Sequence, residues 1–232
     1  LKNAITGLAA AGLLALGAGF ALADGHTKYA GDSYSGWEWY VELVAGGPIP
    51  KDYDNTIGTI GPTVYDPDSG FGFGALAGFY FAENMRADVS FTYGNVGEGV
   101  LTVNATGAVL PHAGDVNGYN VLFNAYYEFD ELAGLPLTPW IGVGVGFQTY
   151  DYDNLGAIGG AFVINDSDTV FTGALHAGFD YALTSNFDLV GRYSLVLVGD
   201  HDVVTSTGLP VAVDGGVENA FFGGIRFKLP PM

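Results

Sequence analysis

The chain has 232 residues, of which 37 are glycine and none cysteine, and it carries seven basic residues against 25 acidic ones. A formal net charge of −18 excludes a nucleic-acid binder, which needs a basic surface. Without cysteine there are no disulfides, so stability must come from a large core or from backbone closure.

The N-terminus reads as a secretory signal peptide over residues 1–23. Lys2 precedes an apolar, small-residue run from Ala4 to Phe20, and Ala21-Leu22-Ala23 forms an A-x-A cleavage site before Asp24. The run is too short for a good transmembrane helix. Residues 24–36 read as a periplasmic N-terminal segment, residues 37–229 as one β-barrel domain and residues 230–232 as a C-terminal tail. No later stretch reaches the roughly 18 consecutive apolar residues of a membrane helix. Only helices and closed barrels satisfy their backbone in lipid, so a membrane protein made from this chain is a barrel.

Eight strands follow from period-two alternation, which sends successive side chains to opposite faces. The first, Trp37 to Gly46, sets Trp37, Trp39, Val41 and Leu43 against Glu38, Tyr40 and Glu42. The second, Gly70 to Ala82, sets phenylalanines and alanines against Gly72, Gly74, Gly78 and Tyr80, and Glu83-Asn84 turns tightly into the third, Met85 to about Val96. The fourth, Tyr119 to Phe129, and the fifth, Pro139 to Gln148, are joined by a short connection, Asp130 to Thr138. Their apolar parity runs Tyr119, Val121, Phe123, Ala125, Tyr127, Phe129, then Ile141, Val143, Val145, Phe147. The other parity carries Asn120, Asn124 and Glu128, then Gly142, Gly144, Gly146 and Gln148. The sixth runs from Thr169 to Ala182, the seventh from Phe187 to Val198 and the eighth from Val217 to Leu229.

Connections after strands two, four and six are short; those after one, three, five and seven are long and polar. That asymmetry is expected of an outer-membrane barrel with its long loops outside. The fold class expected is therefore all-β, a transmembrane antiparallel up-and-down barrel of eight strands. Ten strands is the alternative count, because Val100 to Leu110 and Val203 to Val213 also look strand-like.

Parity places the charges. After signal removal the basic residues are Lys28, Lys51, Arg86, Arg192, Arg226 and Lys228. The last four share the polar parity, and an arginine facing lipid at mid-membrane costs roughly 2–4 kcal/mol. They are therefore expected to point into the lumen. Glu38, Glu42, Asp88, Glu128, His176, Asp180, Asp188 and Glu218 share that parity, so an internal charge network is expected. The inward glycines of strands two and five leave room for water, which keeps a narrow channel open as a reading.

The remaining acids are assigned to the long loops. Asp-Tyr-Asp-Asn occurs twice, which makes Asp52, Asp54, Asp151 and Asp153 weak candidates for a divalent cation. Neither copy has EF-hand spacing or its terminal glutamate. The plainer expectation is an acidic rim, loosely bridged to lipopolysaccharide by divalent cations, with no resident cofactor or metal. Asp200-His201-Asp202 reads as solvated loop. The sequence lacks a GxSxG elbow and a HExxH helix, and His176 with Asp180 reads as lumen rather than as a dyad. No catalytic residues are assigned, and no enzyme is expected.

These segments resemble the eight-stranded outer-membrane β-barrels typified by the OmpA transmembrane domain and the opacity-type surface antigens, the "porin family" proteins. The resemblance is carried by Ala125-Tyr-Tyr-Glu-Phe129, Pro139-Trp-Ile-Gly-Val-Gly-Val-Gly-Phe147 and Phe222-Gly-Gly-Ile-Arg-Phe-Lys-Leu229. It implies a monomer in the bacterial outer membrane that contacts lipid and lipopolysaccharide, is inserted by the barrel assembly machinery and touches host or neighbouring cells through its loops. It also touches the OmpW type, which carries small apolar molecules. The family's last strand ends the chain in an aromatic; here Leu229-Pro-Pro-Met232 follows, so Phe227 would serve. A peptidoglycan-binding domain is absent from the sequence, so wall anchoring does not carry over. Two function classes remain: a structural, surface-interacting barrel, or a small porin-like channel for ions or small molecules.

Overall fold

The computed structural model describes residues 38–49, 51–68, 70–97, 99–130, 132, 136–160 and 162–229. The expected signal peptide, the segment 24–36, Trp37 and the tail 230–232 lie outside the described residues. Thirteen strands are described: β1 (Glu38–Ile49), β2 (Tyr53–Ile57), β3 (Gly61–Pro67), β4 (Phe71–Ala82), β5 (Met85–Val96), β6 (Gly99–Val103), β7 (Ala108–Glu128), β8 (Leu137–Ala157), β9 (Ile164–Ala182), β10 (Phe187–Val198), β11 (His201–Val204), β12 (Pro210–Val213) and β13 (Gly216–Lys228).

Eight of them form a ring in which each strand pairs antiparallel with two neighbours. The order is β1, β4, β5, β7, β8, β9, β10 and β13, and β13 pairs back onto β1 from Tyr40↔Lys228 to Ile49↔Asn219. These are the eight strands expected from alternation. The other five lie in the long connections, and β6, β11 and β12 overlap the two stretches that look strand-like, Val100 to Leu110 and Val203 to Val213. They build a second tier at the long-connection end, in the order β11-β12-β2-β3-β6, continuing onto β7. The upper halves of β7, β8 and β9 belong to both tiers.

The second tier closes differently from the ring. Between β9 and β11 there is one isolated bridge, Ile164↔Thr205. Two carboxylates complete the seam: Asp166 accepts the Val204 N–H at 2.9 Å and Asp168 accepts the Asp202 N–H at 3.2 Å. Asp54, Asp66, Asp151, Asp153, Asp166, Asp168 and Asp202 therefore sit on strands, not in loops as expected. Alternation persists through these segments, and apolar residues on one parity give each added strand a face to bury.

Polarity reverses along β8. In the ring its outward residues are Ile141, Val145 and Phe147, and its inward ones include Gly144, Gly146 and Gln148. In the second tier Asp153 points outward and Tyr150, Tyr152 and Leu155 are buried inside. The lower part thus matches an apolar surround with a polar interior, and the upper part matches water with an apolar interior.

Two aromatic girdles bound the lower part. One includes Trp39, Phe79, Tyr127, Phe129, Phe187 and Phe227, with Trp39–Phe79 ring centroids at 5.2 Å and Phe187–Phe227 at 4.9 Å. The other includes Phe73, Tyr93, Tyr119, Phe147 and Phe171, with Tyr93 lying 5.2 Å from Phe73 and 5.3 Å from Tyr119. Between them the outward side chains are Val41, Leu43, Val89, Phe91, Phe123, Leu175, Leu189 and Ile225, all exposed.

Candidate functional site: a charge plug beneath an apolar chamber

The inward side chains of the lower barrel form one network to which all eight ring strands contribute. Arg226 on β13 donates from Nε and Nη2 to Glu42 Oε2 at 2.9 and 2.8 Å, and from Nη1 to Asp180. Arg192 on β10 donates to the other Glu42 oxygen at 3.0 Å and to the Tyr126 hydroxyl at 2.8 Å. Arg86 on β5 donates to Glu128 Oε1 at 2.8 Å and to the Tyr40 hydroxyl at 2.9 Å, with Asp88 at 3.6 Å. Tyr80 on β4 donates to Glu128 at 3.1 Å, and Trp140 on β8 donates to Asp180 at 2.8 Å.

Arg86 and Arg226 are 0 % exposed. Charges this deep are tolerable only when paired and hydrogen-bonded on most of their polar atoms. Aromatic faces supply more: the Arg86 guanidinium lies 4.0 Å from the Tyr126 ring centroid and 5.0 Å from that of Trp140.

At three inward glycines the space is filled by rings rather than left open. A Cβ on Gly78 would fall 2.7 Å from the Tyr40 ring, one on Gly142 would overlap the Tyr126 ring, and one on Gly178 would overlap the Trp140 indole. The missing side chains are replaced by aromatic rings lying against the wall. Three glycines thus let three rings tile the lumen.

Other expected lumen residues sit apart from this network. Lys228 pairs with Asp188 at 2.9 Å near the short-turn end, and Glu38, partly exposed, shares that end. His176 does not touch Asp180. Its Nε2 lies 3.1 Å from Asn124 Oδ1 and its Nδ1 lies 2.9 Å from the Ser194 hydroxyl. Asn124 spends its amide on Asp88 and Ser90 at 2.7 and 2.9 Å, so its oxygen accepts and the His176 proton sits on Nε2.

Above the network the lumen becomes apolar. Val44, Leu76 and Phe222 form a small cluster, and the second tier adds Ile57, Val96, Leu101, Val116, Leu155, Val203, Val211 and Val213, all buried. All of these except Val203 line a cavity of about 150 Å³. Its lining reaches down to His176, Arg192 and Ser194 but includes none of Glu42, Arg86, Asp88, Glu128, Asp180 or Arg226.

Glu218 lines this chamber rather than joining the network. It accepts hydrogen bonds from the hydroxyls of Tyr150 at 2.5 Å and Tyr53 at 3.2 Å and from the Gln148 amide at 3.2 Å. His201, expected in a solvated loop, is buried: it stacks on Tyr150 at 4.6 Å and bonds the Tyr152 hydroxyl at 2.7 Å. Burial holds the imidazoles of His201 and His112 below their ordinary value of 6.5, although Asp168 pulls His201 the other way. Burial likewise pushes the Tyr65 phenol up to about 12.

Asp52, Asp54, Asp151 and Asp153 do not converge. Among the described residues no group of three or more His, Asp or Glu is placed to hold a metal. Sequence reasoning assigned no role to Tyr53, Tyr126, Trp140 or Tyr150. Tyr126 and Trp140 stand on the polar parity of their strands, which was the available signal; Tyr150 lies past the expected strand end at Gln148, and Tyr53 falls in a connection where no strand was expected.

No protein-family model matches this sequence, and no curated protein matches it. Among solved structures, the crystal structure of Neisserial surface protein A is similar with a TM-score of 0.51 and 20% identity, covering 84% of this chain and 100% of that one. The outer membrane protein OprG from Pseudomonas aeruginosa is similar with a TM-score of 0.60 and 15% identity, covering 84% of this chain and 96% of that one. With its ring of eight antiparallel strands, outward aromatics and inward charges, the chain has the fold of the eight-stranded outer-membrane β-barrels.

Proposed function

We propose that this chain is an integral barrel of the bacterial outer membrane, exported by its N-terminal signal peptide, which acts at the cell surface through its second tier. Girdle spacing supports the membrane reading. Tyr119 and Phe129 are ten residues apart on one parity, about 34 Å along a strand and roughly 25 Å along the axis at a tilt near 40°. The acidic outer strands face water, where divalent cations would link them loosely to lipopolysaccharide. The barrel works as a monomer.

One observation carries the surface reading over the channel reading. The chamber's lining ends above Arg86 and Arg226, and eight strands make a barrel narrow enough for side chains to fill. A small porin-like channel has less support for that reason. Single-channel recording of the refolded full chain in a planar bilayer tests it. Silence at moderate voltage is the expected result, and steady unitary conductance would overturn the surface reading in favour of the channel.

The chamber favours a second reading, in which the second tier accepts a small apolar molecule from outside. An apolar cavity of roughly this volume holds a benzene-sized guest.

A further inference from the structure

We propose that the chamber takes a small organic cation with an apolar body, an amphiphilic amine, whose ammonium group binds Glu218. This inference rests on the reading that the chamber admits a small guest at all. It adds the charge and the contact that select that guest.

Among the described acids facing the barrel interior on the ring strands, Glu218 and the partly exposed Glu38 at the opposite end have no ion pair. Glu42, Asp88, Glu128, Asp180 and Asp188 each have an arginine or lysine within ion-pairing distance. Glu218 has none among the described residues; its partners are two phenols and an amide. A carboxylate facing an apolar space is costly without a counter-charge. Three neutral donors hold it in place, and no ion pair neutralises it.

The basic groups lining the same chamber, His112, His176, Arg192 and His201, form no ion pair with it. Arg192 is committed to Glu42 and Tyr126. His176 is fixed by Asn124 and Ser194, and His201 by Tyr150 and Tyr152. Lys51 lies outside the lining; its ammonium is 5.3 Å from the Tyr53 ring centroid and close to Gly216, two residues from Glu218, but forms no ion pair with that carboxylate. An ammonium arriving from solvent would instead meet Glu218 between the Tyr53 and Tyr150 side chains, while its hydrocarbon part sits among Val96, Val211 and Val213. The net charge of −18 raises the local concentration of cations around the molecule.

The test uses the full chain refolded into phosphatidylcholine nanodiscs, with empty nanodiscs as the blank. The probes are 4-fluorobenzylamine, charged at neutral pH, and 4-fluorotoluene, its neutral counterpart, each titrated by fluorine NMR. The amine is expected to bind about tenfold more tightly, the worth of one charge-assisted hydrogen bond. Glu218→Gln, which keeps an acceptor for the two phenols, is expected to bring the amine down to the affinity of fluorotoluene. Equal binding of both probes to the unaltered protein would overturn the proposal while leaving the chamber reading intact, and needs no variant. Binding of neither probe would remove the chamber reading and the proposal together.

Discussion

Arg226 lies directly across from Glu42 on the strand pair that joins the last ring strand to the first, and two of its nitrogens donate to a single Glu42 oxygen. The seam that closes the barrel is therefore also the centre of the buried charge network. Removing one partner leaves the other charged and without water. Glu42→Ala or Arg226→Ala is expected to destabilise the barrel by about 3–5 kcal/mol. Urea unfolding of the refolded protein in liposomes measures this, and a loss below about 1 kcal/mol would show the pair to be incidental, as exposed pairs are.

Gly142 makes room for the Tyr126 ring, on which Arg86 and Arg192 both rest. Gly142→Ala adds one methyl group where the ring already lies. The expected cost is about 1–3 kcal/mol, the range for overpacking a filled interior. A substitution tolerated without loss in the same unfolding assay would mean that the ring has space to retreat, and hence that the lumen is looser than its contacts indicate.

The second tier should weaken in acid. His112 and His201 have folded-state values held below 6.5 by burial. Opening the tier returns them to an ordinary value, so the open form binds more protons in between. Their contribution is thus full above about pH 6.5 and is lost as pH falls through the lowered values. Amide hydrogen exchange at Tyr152 and Val203, corrected for intrinsic rate, should show lower protection at about pH 5 than at about pH 7.5. Unchanged protection would rule out the two imidazoles as the source.

Asp166 and Asp168 substitute for strand pairing at the β9–β11 seam. Asp166→Ala removes the acceptor of the Val204 N–H, for an expected local cost of about 1–2 kcal/mol. The lower ring should keep its stability, since no ring pairing depends on this contact. Limited digestion with a nonspecific protease reports the difference: faster cleavage near β11 is expected, and cleavage spread evenly along the chain would instead indicate global loosening.

The eight ring strands were legible because the residues between the two girdles on one side face an apolar surround. A single misplaced arginine would break the pattern, and Arg86, Arg192 and Arg226 all obey it. The second tier was less legible because its strands are short. β2, β6, β11 and β12 have four or five residues each, so β6, β11 and β12 showed only as the strand-like stretches Val100 to Leu110 and Val203 to Val213, and β2 did not show. The set of charges that meet was readable, but not which one pairs with which. His176 and Asp180 share a face of β9, yet one turns to Asn124 and Ser194 and the other to Arg226 and Trp140. Which side chains meet depends on strand stagger around the ring, which no single segment encodes.

The Glu42–Arg226 contact joins residues 184 positions apart. Contacts of such sequence separation make folding slow, because the entropy of closing the chain is lost before the contact returns anything. Until β13 arrives, Glu42 stands on an open sheet edge without the guanidinium that neutralises it. A half-zipped sheet therefore carries an unpaid electrostatic penalty into the bilayer, and the final strand relieves it in one step. Closure of this barrel should be cooperative, with few partly inserted forms surviving long enough to be trapped.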